Sequence, residues 1–133
     1  MQHATELTEQ QKLVFATLSK QNGPVTAYVL LDKLRSRGLR APTQIYRVLE
    51  KLIARGLVHK LESLNAFVAC AHPHAPHTHG LIAFAICDCC GKASEFSDKA
   101  IEKRLKGWAG DHGFQPGISL LEMHGTCAQC AAG

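Results

Sequence analysis

Pro42-Thr43-Gln44-Ile45-Tyr46-Arg47-Val48-Leu49-Glu50-Lys51-Leu52-Ile53-Ala54-Arg55-Gly56 decides the fold of the first half of this 133-residue chain. Proline suits the first turn of a helix, where its missing N–H costs nothing, and glycine suits the end. Between them Ile45, Val48, Leu49, Leu52 and Ile53 recur at i, i+3, i+4, i+7 and i+8, which predicts one buried stripe on an amphipathic helix. Before this helix, Thr8 with Gln11 reads as a capping box opening a helix to about Lys20, with Gly23 beyond its end. Thr26 caps a second helix, which Gly38 stops. After it, residues 57–60 and 67–70 read as two strands around a turn near Leu64-Asn65. Three helices and a hairpin make a winged helix-turn-helix.

The solvent side of the third helix carries Thr43, Gln44, Tyr46, Arg47, Glu50 and Lys51. Gln44, Arg47 and Lys51 are spaced i, i+3, i+7 and share a direction. In a helix-turn-helix the second helix of the motif enters the major groove of DNA. There arginine pairs with guanine edges or clamps phosphate, and glutamine pairs with adenine. Lys33, Arg35, Arg37 and Arg40 are expected on phosphates. Charge agrees: residues 1–60 hold ten Lys/Arg against four Asp/Glu, a net of +6, whereas residues 61–133 hold five against seven, a net of −2. Thr43, Gln44, Tyr46, Arg47 and Lys51 are the candidate DNA contacts.

Cysteine divides the other way, with all six (Cys70, Cys87, Cys89, Cys90, Cys127 and Cys130) in the second half. Cys87-Asp88-Cys89-Cys90 and Cys127-Ala128-Gln129-Cys130 are two CxxC pairs with 36 residues between them. Each pair presents two thiolates from one tight turn, and two pairs complete a tetrahedral structural zinc site. Cys89 is expected to point away from it. A thioredoxin-type redox centre uses one CxxC at a helix start, and Gly91 followed by polar residues opens no helix.

His72-Pro73-His74-Ala75-Pro76-His77-Thr78-His79-Gly80 separates the halves. The expected organisation is therefore a winged-helix domain at 1–71, a His/Pro-rich hinge at 72–80 and a zinc-binding domain at 81–133. In the last, 81–87, 92–96 and 118–124 are expected as strands and 97–109 as a helix. A unit this small calls on a metal or a partner chain for stability, and its strand edges offer a dimer contact. The fold class is thus α+β, a winged helix-turn-helix followed by a small α/β dimerisation domain with a four-cysteine zinc site.

Composition narrows the function. Hydrophobic residues at 46% and charged residues at 20% exclude a disordered chain. The longest wholly apolar run, 81–87, is too short for a bilayer. The polar start MQHATELTEQ predicts no signal peptide and a cytoplasmic protein, where cysteines serve metal more than disulfides. A zinc deaminase pairs His-x-Glu with Pro-Cys-x-x-Cys; here Ile86 precedes Cys87 and no His-x-Glu occurs, so no enzyme is expected. Cys70 belongs to neither CxxC pair. With the turn at Leu64-Asn65, His59 falls roughly opposite it, and the histidines of the hinge follow at once. A thiolate and several imidazoles converging there predict a second, mixed-ligand metal site.

These residues resemble the ferric uptake regulator family and, within it, the zinc uptake regulator branch. The resemblance rests on Leu7-Thr8-Glu9-Gln10-Gln11, Ala41-Pro42-Thr43-Gln44-Ile45-Tyr46-Arg47-Val48-Leu49, Gly56-Leu57-Val58-His59-Lys60-Leu61-Glu62-Ser63, Ile86-Cys87-Asp88-Cys89-Cys90-Gly91 and Glu122-Met123-His124-Gly125-Thr126-Cys127-Ala128-Gln129-Cys130. It implies a homodimeric repressor with one structural zinc on Cys87, Cys90, Cys127 and Cys130 and one regulatory zinc per chain. The regulatory ligands it implies are His59, Cys70, His79 and Glu95, with His77 as the alternative to His79. Where iron-sensing members place glutamate, Cys70 supplies sulfur, which favours zinc over iron. Ser119 stands where some members carry a histidine of a third site, so that site is not expected. The implied function is zinc-dependent binding of a palindromic operator that controls zinc uptake genes, with no membrane or small-molecule substrate involved. Iron, manganese or peroxide sensing is the alternative within the family. A zinc hydrolase, or a zinc module without DNA binding, is the alternative outside it.

Overall fold

A computed structural model describes residues 6–70 and 80–132. The chain divides into two compact units, Met1–Pro73 and His74–Gly133.

In the first unit, α1 (Glu9–Ser19) opens on the expected capping box, with Gln11 N–H donating to Thr8 Oγ1 at 3.1 Å and Thr8 N–H to Gln11 Oε1 at 3.0 Å. Thr26 caps α2 (Ala27–Leu34), and a turn of 3-10 helix carries the chain to Gly38, whose φ of +100° only glycine adopts without strain. α3 (Pro42–Ala54) starts on its proline. Ile45, Val48, Leu49 and Leu52 pack with Val14, Leu18, Leu30 and Leu34 into one core. Ile53, expected in that stripe, is instead 37% exposed. A three-helix body covers only the narrower part of the stripe, leaving its edge to solvent.

The wing is β1 (Val58–Leu61) paired antiparallel with β2 (Ala66–Ala69). Asn65 turns the chain at a φ of +49°, a conformation asparagine tolerates better than most residues. Phe67 anchors the wing to the helices: it is buried, and it exchanges backbone hydrogen bonds with Val25 at 3.0 and 2.7 Å.

In the second unit, β3 (Gly80–Cys87) is the middle of a three-stranded sheet. It runs antiparallel to β4 (Ala93–Phe96) and parallel to β5 (Ile118–Gly125). A parallel neighbour needs a long crossover, supplied by β4 and α4 (Lys99–Asp111). Asp98 caps α4 by accepting from the N–H groups of Ala100 and Ile101. Gly113, at φ +64°, ends it, and Phe114 N–H returns to the Ala109 carbonyl at 2.7 Å. A short α5 (Ala128–Ala132) follows the second CxxC pair's first cysteine. Ile82, Phe84 and Ile86 of β3 are buried. Leu105, Trp108, Phe114, Ile118, Leu120 and Met123 are exposed, so this unit leaves a large apolar surface uncovered.

Candidate metal centre and nucleic-acid interface

β3 ends in Cys87 and turns through Asp88 and Cys89 to Cys90, and β5 ends just before Cys127. Because Cys87 pairs with Gly125 across the parallel ladder, both turns emerge at one end of the sheet. The Sγ atoms of Cys87, Cys90, Cys127 and Cys130 all lie within 4.8 Å of one another. Cys90 and Cys127 are 3.9 Å apart. A tetrahedron with zinc–sulfur bonds of about 2.3 Å has edges of about 3.8 Å, so the group has the dimensions of a four-thiolate zinc site.

Its surroundings favour the thiolate at two of the four cysteines. The Cys87 thiol is lowered from 9.0 to about 6, chiefly by the Cys90 N–H at 3.5 Å and then by the Cys127 N–H at 3.3 Å. Cys127 is lowered too, first by the Cys130 N–H. Cys130 is raised, with the Cys89 thiol as the largest cause, followed by Cys127 and Cys87. Crowded thiols ionise one after another, and the last holds its proton until a cation arrives. Cys89 is outside the group of four and exposed. That agrees with the expectation that it points away from the metal position, although its thiol still bears on Cys130.

On the wing, His59 and Cys70 are both buried, and the nearer imidazole nitrogen and Cys70 Sγ lie within 4.8 Å of one another. The register differs from the one expected: His59 pairs with Val68, and Cys70 N–H donates to the Leu57 carbonyl at 2.8 Å. The turn is centred one residue earlier than expected, which moves the pairing by two. Side chains two apart share a face, so His59 and Cys70 still meet diagonally. Glu95 belongs to the second unit, partly buried on β4 opposite Phe84. His77 and His79, like most of the hinge, lie outside the described residues.

On α3, Thr43, Arg47, Glu50 and Lys51 are exposed. Gln44 is used locally: its Oε1 accepts from the N–H groups of Arg40 at 2.8 Å and Ala41 at 3.0 Å, closing the start of the helix. Tyr46 is partly buried, with its ring edge-on to Phe67 at 6.3 Å. Both were expected to face DNA; each keeps part of its surface exposed and also has a packing or capping duty that spacing alone does not reveal. Lys33, Arg35, Arg37 and Arg40 are exposed. Sequence reasoning missed α5, which carries Cys130, and the contact between Asp88 and His124. The first is too short for periodicity to register, and the second joins residues far apart in the chain.

A winged helix with an exposed basic recognition helix, joined in one chain to a four-thiol centre, defines the class of metal-dependent transcription regulators. The ferric uptake regulator family matches residues 2–124, and the chain belongs to that family. It is similar to the zinc uptake regulation protein of Escherichia coli (strain K12), 38% identical over 130 residues that span 97% of this chain and 75% of that protein. It is also similar to the solved structure of a zinc uptake regulator complexed with zinc and DNA, at a TM-score of 0.90 and 36% identity over 98% of this chain and 87% of that one. Holo XcZur matches at a TM-score of 0.86 and 45% identity over 96% of this chain and 88% of that one.

Proposed function

We propose that this protein is a zinc-responsive transcriptional repressor. Cys87, Cys90, Cys127 and Cys130 hold a structural zinc. His59 and Cys70 from the wing, Glu95 from β4 and one hinge histidine hold a regulatory zinc; that histidine is His79, with His77 as its alternative. The observation that carries this reading is the pairing of a buried thiol with a buried imidazole within 4.8 Å, in a chain whose other four-thiol group is already complete. Sulfur and nitrogen donors favour zinc over iron or manganese. The zinc uptake regulator complexed with zinc and DNA supports the same assignment, at 36% identity.

Two chains pair through the second unit, whose exposed Ile118, Leu120 and Met123 lie on the edge strand β5. Zinc at the regulatory site ties the wing to the dimerisation unit. The two recognition helices then hold the separation of successive major grooves on a palindromic operator. Thr43, Arg47 and Lys51 face the DNA, with what Gln44 and Tyr46 leave accessible beside them. Zinc in the cytoplasm is thereby read as operator affinity and uptake genes are shut off, with no catalytic step. Among the described residues no helix is long and apolar enough to cross a membrane.

The test compares zinc, iron(II) and manganese(II) for their effect on operator affinity. Zinc alone is expected to raise affinity at low free-metal concentration. A stronger response to iron or manganese would assign the protein to another branch of its family.

A further inference from the structure

Asp88 and His124 belong to neither ligand set. Asp88 follows Cys87 directly, and His124 sits on β5 three residues before Cys127. The ladder pairs Ile86 with His124 and Cys87 with Gly125. One residue further, Asp88 N–H donates to the Gly125 carbonyl at 2.8 Å, and Asp88 Oδ1 lies 3.1 Å from His124 Nδ1. Beyond that, Cys127 N–H meets Cys87 Sγ at 3.3 Å. The two cysteine pairs come from strands joined only by a long crossover, so their separation depends on how the end of β3 is held to the end of β5. The backbone contact fixes the strands, and the side-chain contact fixes the turn that leaves them.

We infer that Asp88 and His124 are positioning residues of the four-cysteine site. Their hydrogen bond braces the Cys87–Cys90 turn against the strand that delivers Cys127, so zinc held by all four sulfurs is released slowly. Residues outside a metal's ligands commonly tune its retention in this way. The inference rests on the proposal that these four cysteines hold zinc. It makes a chemical distinction within histidine: the contact with Asp88 runs through Nδ1. Asparagine places its side-chain amide near that nitrogen, whereas glutamine mimics Nε2.

The experiment uses the full chain loaded with zinc. The removable zinc is first stripped by brief chelation, and loss of the tightly held zinc to EDTA is then timed. His124→Ala, His124→Gln and Asp88→Ala are each expected to release it about ten-fold faster. The double alanine variant is expected to be no faster than either single one, because one bond is removed once. His124→Asn is expected to restore the slow rate, which a residue needed only for bulk or burial does not achieve. Wild-type release from His124→Ala and Asp88→Ala, or failure of asparagine to rescue, overturns the inference. Cys127→Ser is the control for the underlying reading. If that variant keeps a zinc that leaves slowly, the four-cysteine assignment itself fails and this inference falls with it.

Discussion

Cys70 closes the wing one residue beyond β2, buried and beside His59. Serine nearly matches its shape but keeps its proton at neutral pH, whereas a thiol loses its proton on coordination. Cys70→Ser is therefore expected to leave the fold, the dimer and the tightly held zinc intact while abolishing the zinc response. Operator affinity in excess zinc should fall by about 1–3 kcal/mol, the usual size of such coupling, and weak salt-sensitive binding should persist. Unchanged zinc dependence would make Cys70 a core residue. The other telling thiol is Cys87, lowered to about 6 by two backbone N–H groups. A thiol lowered from 9.0 gives its full benefit above that pH and loses it as pH falls through about 6. In the zinc-free protein one thiol is expected to ionise near pH 6, read as thiolate absorbance while pH is raised; a first ionisation near 9 would show the N–H groups do not act. At this scale the sequence announced the thiols by spacing alone, because CxxC is a local geometry. The meeting of His59 with Cys70 was legible only approximately, since register depends on where the turn residue Asn65 falls.

α3 joins core and surface in one element. Leu49 and Leu52 are fully buried on one side, while Arg47 and Lys51 are exposed on the other. Leu49→Ala is expected to destabilise the winged helix by about 2–5 kcal/mol, read by denaturant unfolding. Arg47→Ala is expected to leave stability unchanged and to cost about 1–3 kcal/mol of operator binding if Arg47 meets a base. If it meets phosphate, binding weakens on every sequence and its salt dependence becomes shallower. No change in either would remove Arg47 from the interface. The helices were readable because caps and periodicity are local: Thr8, Thr26, Gly38 and Pro42 all act where expected. Gln44 and Tyr46 were not readable, because their duties depend on the Arg40 and Ala41 N–H groups and on Phe67. The parallel pairing of β3 with β5 is a non-local contact that no window of sequence displays.

For the whole molecule, the two units carry different burdens. The first has a continuous apolar core. The second exposes Leu120, Trp108 and Met123 at 40%, 57% and 53%, so it is expected to call on a metal and a second chain for stability. Leu120→Asp, placing a charge on the edge strand β5, is expected to shift the protein towards monomers in a sizing experiment and to weaken operator binding in step. A stable dimer with that charge would move the interface elsewhere. DNA affinity is expected to follow one zinc and stability another. The direct measurement is zinc per chain, counted while a mild chelator strips the protein and operator binding is recorded on the same samples. Two zinc ions per chain are expected at the start, with operator binding lost together with the first and the second retained until the C-terminal unit unfolds. Operator binding that survives loss of the first zinc, or that disappears only with the second, would contradict that expectation.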